Sequence, residues 1–170
     1  MLVKRTWRQT AVRHKLYATV MAKPMKDQPG SALHLHQSLI NIKNGENIFS
    51  ESKKDFSEAF MNYIGGLQTY TPLLMPIYAP HVNSYKRLFA TYGSPKNIEW
   101  GIANRSCGFR VPDSDNENTR VENRLAGSDT NPYLIFAANL ASGFLGIKNK
   151  ILPKKETKTS LFNQDTTTLP

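Results

Sequence analysis

Two histidines, His34 and His36, are the first residues in the chain whose types and spacing could do chemistry. In a β-strand, side chains two positions apart lie on the same face, about 6 to 7 Å from each other. Two imidazoles on one face can bind a metal ion or contact a phosphate, and they can equally be ordinary surface or core histidines. The pair alone therefore leaves the kind of site open.

Arginines beside Asn and Ser are a second signal. Arg87 ends the sequence NSYKR, Arg105 lies in NRS, and Arg110 lies at the end of a predicted strand. The planar guanidinium binds carboxylate or phosphate through two parallel hydrogen bonds. Several such groups around one cavity could hold a polyanionic substrate such as a nucleoside triphosphate, although each could also be an ordinary surface arginine.

The sequence RVENR at 120–124 alternates in the manner of a strand. The alternation places Glu122 on the same face as Arg120 and Arg124. A carboxylate between two guanidiniums is either an ordinary ion pair or a metal ligand beside groups that hold phosphate. The spacing favours neither interpretation over the other.

The elements that must position these residues follow from periodicity and from Gly and Pro positions. Helices are predicted at 6–16, from Asp55 or Ser57 to about Tyr70, and from the N-cap Asn131 with Pro132 at N1 to about Lys148. Glycine weakens the interior of a helix, so the Gly65-Gly66 pair is tolerable mainly if another element packs closely there. Strands are predicted at 17–23, 32–40, 98–103, 106–111 and 120–125, the last three as a meander.

Helices and strands are interspersed without regular βαβ alternation, which predicts an α+β fold with an antiparallel sheet. The candidate ligands alternate in the strands, while the helices carry apolar stripes, the last of them running through Phe136, Leu140 and Phe144. We therefore expect the helices at 55–70 and 131–148 to pack on one side of the sheet, and the ligands to lie on the other.

Composition limits the class of protein. The 170 residues predict one domain, 39% hydrophobic residues support a core, and a net charge of +9 raises the expectation of an anionic partner. The apolar stretch 134–147 contains Asn139 and Ser142 and is too short and too polar for a membrane span. No nucleic-acid motif is visible. The single cysteine, Cys107, excludes an internal disulfide, and with no secretion signal in view the expected location is the cytoplasm.

Four stretches, taken in order, resemble the catalytic-domain motifs of the glutamine synthetase family. They are PGSALHLHQSL at 29–39, VNSYKRL at 82–88, NRS through RVP at 104–112, and RVENR through NPYL at 120–134. The third and fourth are closer to the γ-glutamylpolyamine (γ-glutamylputrescine) synthetase branch. The resemblance implies part of that family's catalytic domain over 1–155, with a curved antiparallel sheet and helices on one side. A polar, loose tail is expected over 156–170.

The resemblance also implies an activity. ATP would phosphorylate the side-chain carboxylate of glutamate, and an amine would attack the γ-glutamyl phosphate to give an amide, with two Mg²⁺ or Mn²⁺ ions neutralising the phosphates. The amine would be putrescine or another polyamine, with ammonia as the alternative, and the parent protein would be a homo-oligomer.

The same resemblance implies roles for eight residues. These are His34 and Glu122 as metal ligands; His36 and Arg110 as contacts to ATP phosphate; Gly30 and Arg87 as contacts to glutamate; Arg105 as the group that stabilises the transferring phosphoryl; and Arg124 as a further substrate or phosphoryl contact.

Two positions depart from the family pattern. Gly93 stands where ammonia-using members have a Glu, and Pro29 replaces an Asn that could contact glutamate. The chain also contains neither the family's N-terminal domain nor its earlier catalytic strands, so we expect a fragment that is inactive alone.

The competing hypothesis is an inactive remnant, or a basic interaction module that binds a polyanion. Convergence of the four candidate arginines with His34 and Glu122 on one face would favour the ligase.

Overall fold

The structure is a computed structural model that describes residues 2–52, 55–89 and 93–162. In chain order the described residues form α1 (Leu2–Arg13), β1 (Leu35–Gln37), β2 (Ser50–Ser52), β3 (Asp55–Phe56), α2 (Glu58–Tyr78), α3 (Val82–Leu88), β4 (Trp100–Ile102), β5 (Phe109–Val111), β6 (Val121–Asn123) and α4 (Pro132–Lys148). Among these residues, no helix is long and apolar enough to cross a membrane.

The main sheet has the strand order β1-β6-β5-β4, and β2 and β3 form a separate pair. β6 pairs antiparallel with β1 and with β5, so that Glu122 lies opposite both His36 and Arg110. The α+β prediction with an antiparallel-rich sheet is confirmed. The predicted meander is wrong in one part, because β4 and β5 are parallel. Residues 103–108 lead the chain back before β5 begins, through a positive φ of 51° at Ala103.

Helix α2 begins where the sequence indicates and ends later. The Ser57 hydroxyl caps it by accepting a hydrogen bond from the Phe60 N–H. The predicted end near Tyr70 is wrong, since the helix continues through Pro72 and Pro76 to Tyr78. Each proline removes one helical hydrogen bond. The last turns nevertheless stay helical, with Met75 and Tyr78 buried in an apolar cluster that also contains Ile135 and Ala138 of α4.

Helix α4 begins as predicted, with the Asn131 side chain accepting from the Tyr133 N–H and with Pro132 in the first turn. It crosses α2 at small residues, since a Cβ atom on Gly66 would overlap the Ser142 carbonyl oxygen. A Cβ atom on Gly65 would overlap the carbonyl oxygen of Ile151, which follows α4. The close packing expected at Gly65-Gly66 is therefore present.

The apolar stripe of α4 does not form the contact with α2. Phe136, Leu140 and Phe144 are each more than half exposed, at 51%, 51% and 59%. The buried face of α4 instead consists of Ile135 and mostly small or polar residues, which are Ala138, Asn139, Ser142, Gly143 and Gly146. Small residues occupy this face because they allow the two helix backbones to approach closely.

The core lies between α2 and the sheet. Phe60, Tyr63, Ile64 and Leu67 of α2 form one cluster with strand residues of β4, β5 and β6, namely Trp100, Phe109, Val111 and Val121. Because strand side chains alternate, the neighbouring residues of β5 and β6 point to the opposite face. The predicted division, with helices on one side and candidate ligands on the other, is confirmed.

Two N-terminal predictions need correction. The first helix spans Leu2–Arg13 rather than 6–16, and none of its residues is buried. No strand forms over 17–23. Ala22 O in this segment accepts from the Ser31 N–H, and the Lys23 backbone forms two hydrogen bonds with the Asn83 side chain of α3. The strand predicted at 32–40 is shortened to β1.

Residues 151–161 form an extended segment docked on β4 and α2. The Trp100 indole donates to Lys154 O over 2.7 Å, the Lys154 N–H donates to Gln68 Oε1 over 2.8 Å, and the Thr157 N–H donates to Trp100 O over 2.9 Å. Further along, Asn104 Nδ2 donates to Thr159 O and the Leu161 N–H donates to Ser106 Oγ, so the looseness expected from residue 156 onward does not apply to 156–161. Residues 163–170 of the predicted tail lie outside the described residues.

Candidate active site

Glu122, on the middle of β6, is the centre of the candidate site. Its residue is only 3% exposed. Oε2 accepts from Arg110 Nη1 at 2.9 Å, while Oε1 lies 2.8 Å from Arg124 Nη1 and 3.0 Å from His34 Nδ1. Positions 34 and 122, which the family resemblance assigns to one metal site, are thus in direct contact.

The surroundings of Glu122 keep its carboxylate ionised. Burial by itself would raise the pKa of Glu122, but the hydrogen bonds from His34 and Arg110 and the charge of Arg124 hold that pKa well below its usual range. The buried site therefore contains a permanent negative charge surrounded by cations at neutral pH.

His36 lies directly across from Glu122 on β1, with Nε2 3.8 Å from Oε1. Arg120 Nε donates to His36 Nδ1 over 3.3 Å. Partial burial lowers the pKa of His36, against the opposing effect of Glu122. A neutral imidazole that accepts at Nδ1 carries its proton on Nε2, so it can donate to an anionic oxygen such as a phosphate. The sequence placed Arg120 on this face but gave no signal of its bond to His36.

Arg87 and Gly30, the two predicted glutamate contacts, lie against each other. A Cβ atom on Gly30 would lie 2.8 Å from Arg87 Cγ and 2.7 Å from Ala22 O, so only glycine fits. Arg87 is 2% exposed and donates to Leu125 O and Arg124 O over 2.9 and 3.0 Å.

The guanidinium of Arg87 keeps its charge although it is buried. Burial and the charge of Arg124 lower the pKa of Arg87 to about 10, which leaves it protonated at neutral pH. The two bonds to backbone carbonyls use two of its five N–H donors. Among the described residues, no carboxylate forms an ion pair with it. Such a group can attract the carboxylate of a ligand.

Arg105 is the predicted site residue that the structure does not bring to the cluster. It is exposed in the connection 103–108 between β4 and β5. Within the described ranges, no hydrogen bond or ion pair joins it to Glu122. Of the other three candidate arginines, Arg110 and Arg124 contact Glu122 directly, and Arg87 donates to the backbone carbonyl of Arg124.

His34 and Glu122 fit two neighbouring positions around a divalent cation. Neighbouring ligands of an octahedral ion with bonds of about 2.1 Å lie about 3.0 Å apart. His34 Nδ1 and Glu122 Oε1 are 3.0 Å apart and share a hydrogen bond, which a cation bound by both atoms would replace. No group of three or more His, Cys, Asp or Glu side chains in the described part of the chain could complete such a site. Further ligands would have to come from water, substrate or other protein segments.

The sequence profile of the glutamine synthetase catalytic domain matches residues 1–169. Three curated proteins illustrate the similarity. Glutamine synthetase of Pyrococcus abyssi is 43% identical over 152 residues, which are 89% of this chain and 34% of the relative. γ-Glutamylputrescine synthetase PuuA of Escherichia coli is 37% identical over 163 residues, or 96% and 34%. Glutamate–isopropylamine ligase of a Pseudomonas species is 40% identical over 154 residues, or 89% and 33%.

The fold comparison agrees with the sequence comparison. The solved structure described as apo GmaS without ligand superimposes with a TM-score of 0.85 at 33% identity, covering 98% of this chain and 38% of that one. The chain thus spans about a third of the length of the curated relatives it matches. It belongs to the glutamine synthetase family and represents a stretch of that family's catalytic domain.

Proposed function

We propose that this chain forms part of the active site of an ATP-dependent glutamate–amine ligase. The observation that carries the proposal is the buried Glu122 carboxylate, which contacts His34, Arg110 and Arg124 at 2.8 to 3.0 Å. Phosphoryl transfer depends mainly on positioning and on electrostatic stabilisation of a highly charged transition state. A rigid cluster of this kind suits that chemistry.

Each side chain has a task in this proposal. His34 and Glu122 would hold a Mg²⁺ or Mn²⁺ ion, which when bound would neutralise phosphate charge. Arg110 and the Nε2–H of His36 contact ATP phosphate, and Arg124 contacts the substrate or the phosphoryl group.

The glutamate end of the site has its own residues. Arg87, beside Gly30, attracts the carboxylate of glutamate. The role of Arg105 at the transferring phosphoryl rests on the family resemblance alone.

The competing function, a remnant or module that binds a polyanion through its charge of +9, receives less support. A polyanion-binding surface presents its cations to solvent. Here Arg87 and Arg124 are 2% and 8% exposed, and Arg110 and Arg124 are directed at Glu122.

We further propose a polyamine or alkylamine, rather than ammonia, as the acceptor. A site for ammonium benefits from a carboxylate that holds NH₄⁺ and accepts its proton. The candidate position holds Gly93, at which a Cβ atom would meet no atom of the described residues within 4 Å. Two of the relatives described above are named for putrescine and isopropylamine.

Titration with Mn²⁺, followed by electron paramagnetic resonance of the free ion, tests the metal site. We expect His34→Ala and Glu122→Gln each to weaken binding at least about tenfold, since each removes one of two protein donors. His14→Ala and Glu117→Gln, at exposed positions, are the matched controls and should bind as the unmodified chain does. Equal Kd values in all five proteins would refute the assignment.

A further inference from the structure

A buried network of amide and phenol groups lies on the helix side of the sheet. Asn139 of α4 donates from Nδ2 to Gln37 Oε1 over 3.0 Å. Its Oδ1 accepts from Tyr78 OH and from Asn123 Nδ2, both over 2.8 Å. Tyr63 OH also donates to Gln37 Oε1, over 2.8 Å.

The network fixes which way each amide points. Asn123 Oδ1 accepts from the Leu125 N–H over 2.9 Å, so its Nδ2 must face Asn139. Asn139 is 1% exposed and Asn123 2%, so water cannot replace a lost partner. A buried polar group left without a partner is costly.

The two strand residues that Asn139 joins lie diagonally across one pair. In the register of β1 and β6, Gln37 is paired with Val121, Asn123 is paired with Leu35, and the pair between them is His36 with Glu122. Asn139 therefore joins the two strands on the helix side of this pair, while His36 and Glu122 point to the opposite face.

β1 and β6 share only three paired positions, so their backbone ladder alone specifies the register weakly. A slip by one residue would turn Gln37 away from the helices. Asn139 Nδ2 would then lose its acceptor, and Tyr63 OH would keep only its 3.5 Å contact with Asn139 O. We propose that Asn139 is a positioning residue that locks β1 to β6 from the helix side, and so sets the imidazole of His36 against the carboxylate of Glu122. The inference deepens the proposed function and rests on it for its relevance to catalysis.

Residue-resolved amide hydrogen exchange tests this role of Asn139 without any ligand. Asn139→Leu keeps the approximate volume and removes all three bonds. We expect exchange in β1 and β6 to accelerate at least about tenfold relative to the amides of α2. Ser142→Ala is the control, because this buried hydroxyl of α4 donates only to Ala138 O of its own helix. Exchange that accelerates by one common factor throughout the Asn139→Leu protein would overturn the proposal.

Two further measurements keep the test decisive. Gln37→Met removes only the acceptor on β1. It should show the same local acceleration of exchange if Asn139→Leu does not fold, and unchanged exchange in the Gln37→Met protein would also overturn the proposal.

In folded Asn139→Leu protein, Mn²⁺ binding should weaken several-fold, whereas the Ser142→Ala protein should bind Mn²⁺ normally. Equal affinity of both variants would contradict a positioning role. Absence of Mn²⁺ binding by the unmodified chain would refute the proposed function, while the exchange data would still show whether Asn139 fixes the pairing of β1 and β6.

Discussion

At the scale of single residues, the alternation of side chains in two short strands predicted much of the site. It placed His34 with His36, and Glu122 with Arg124, on common faces. It could not predict that Arg110 would be the partner of Glu122 Oε2, because that contact depends on β5 being the neighbour of β6. A sequence motif did not correctly place Arg105 in the site, since the connection 103–108 leaves this residue exposed.

The ionised state of Glu122 predicts a specific acid sensitivity. Because the hydrogen bonds and cations around it outweigh burial and keep its folded pKa below the usual value of 4.5, the stabilisation is complete above pH 4.5 and is lost as the pH falls below it. We expect the free energy of unfolding to decrease below pH 4.5 with a contribution from this group approaching about 1.4 kcal/mol per pH unit. Urea unfolding at pH 7, 5, 4 and 3 measures the effect.

The variant Glu122→Gln isolates that contribution. At pH 7 it should be about 3 to 5 kcal/mol less stable, since two largely buried guanidiniums lose their counterion. The difference from the unmodified chain should shrink in acid. Glu99→Gln, which removes the more exposed pair with Lys154, is the control and should cost less than about 1 kcal/mol. Parallel pH curves for Glu122→Gln and the unmodified chain would contradict the explanation.

At the scale of elements, local capping signals predicted where helices begin, and tertiary packing decided where they end. Ser57 and Asn131 cap α2 and α4 as the sequence indicates. Pro72 and Pro76 suggested an earlier end to α2, but burial of Met75 and Tyr78 keeps the last turns helical. The face of α4 that packs against α2 could not be predicted from hydrophobicity, because it consists mostly of small or polar residues.

The crossing of α2 and α4 predicts an inverted response to Gly66→Ala. Helix propensity alone predicts that this change stabilises the protein by about 0.5 to 1 kcal/mol. We expect destabilisation by about 1 to 3 kcal/mol or more, because the added methyl group would overlap the Ser142 carbonyl oxygen and backbone atoms of Gly146. Thermal unfolding measures the sign. Thr69→Ala, at an exposed position of α2, should change stability by less than about 0.5 kcal/mol; a stabilised Gly66→Ala protein would show that the helices can separate freely.

At the scale of the whole molecule, the fold class, the side of the sheet that carries the helices and the family could all be predicted from sequence. The parallel pairing of β4 and β5 could not, because short strands in a row normally form antiparallel hairpins. Nor could the docking of residues 151–161, since a Lys- and Thr-rich segment carries no apolar pattern and is held here by backbone hydrogen bonds.

Turnover by this chain alone should be negligible. Phosphate release in the presence of Mg²⁺, ATP, glutamate and putrescine is expected at background, because among the described residues His34 and Glu122 supply only two donors, whereas the proposed reaction would use two metal ions. The same assay with ammonia, methylamine and spermidine extends the test, and a full-length family member provides the positive control. A rate that depends on both glutamate and an amine would contradict this prediction, and a preference for ammonia would also contradict the proposed acceptor.

The strand order β1-β6-β5-β4 also determines when the site can assemble during synthesis. His36 and Glu122 are paired neighbours in the sheet but 86 positions apart in the chain (122 minus 36). At about 5 to 20 residues per second, a ribosome needs roughly 4 to 17 s to make the intervening segment. Throughout that interval β1 is made but β6, the strand that pairs with it in the described residues, is not, and an unpaired strand edge promotes aggregation. His34 and His36 are thus made several seconds before Glu122, and we expect the yield of folded protein to depend on translation speed.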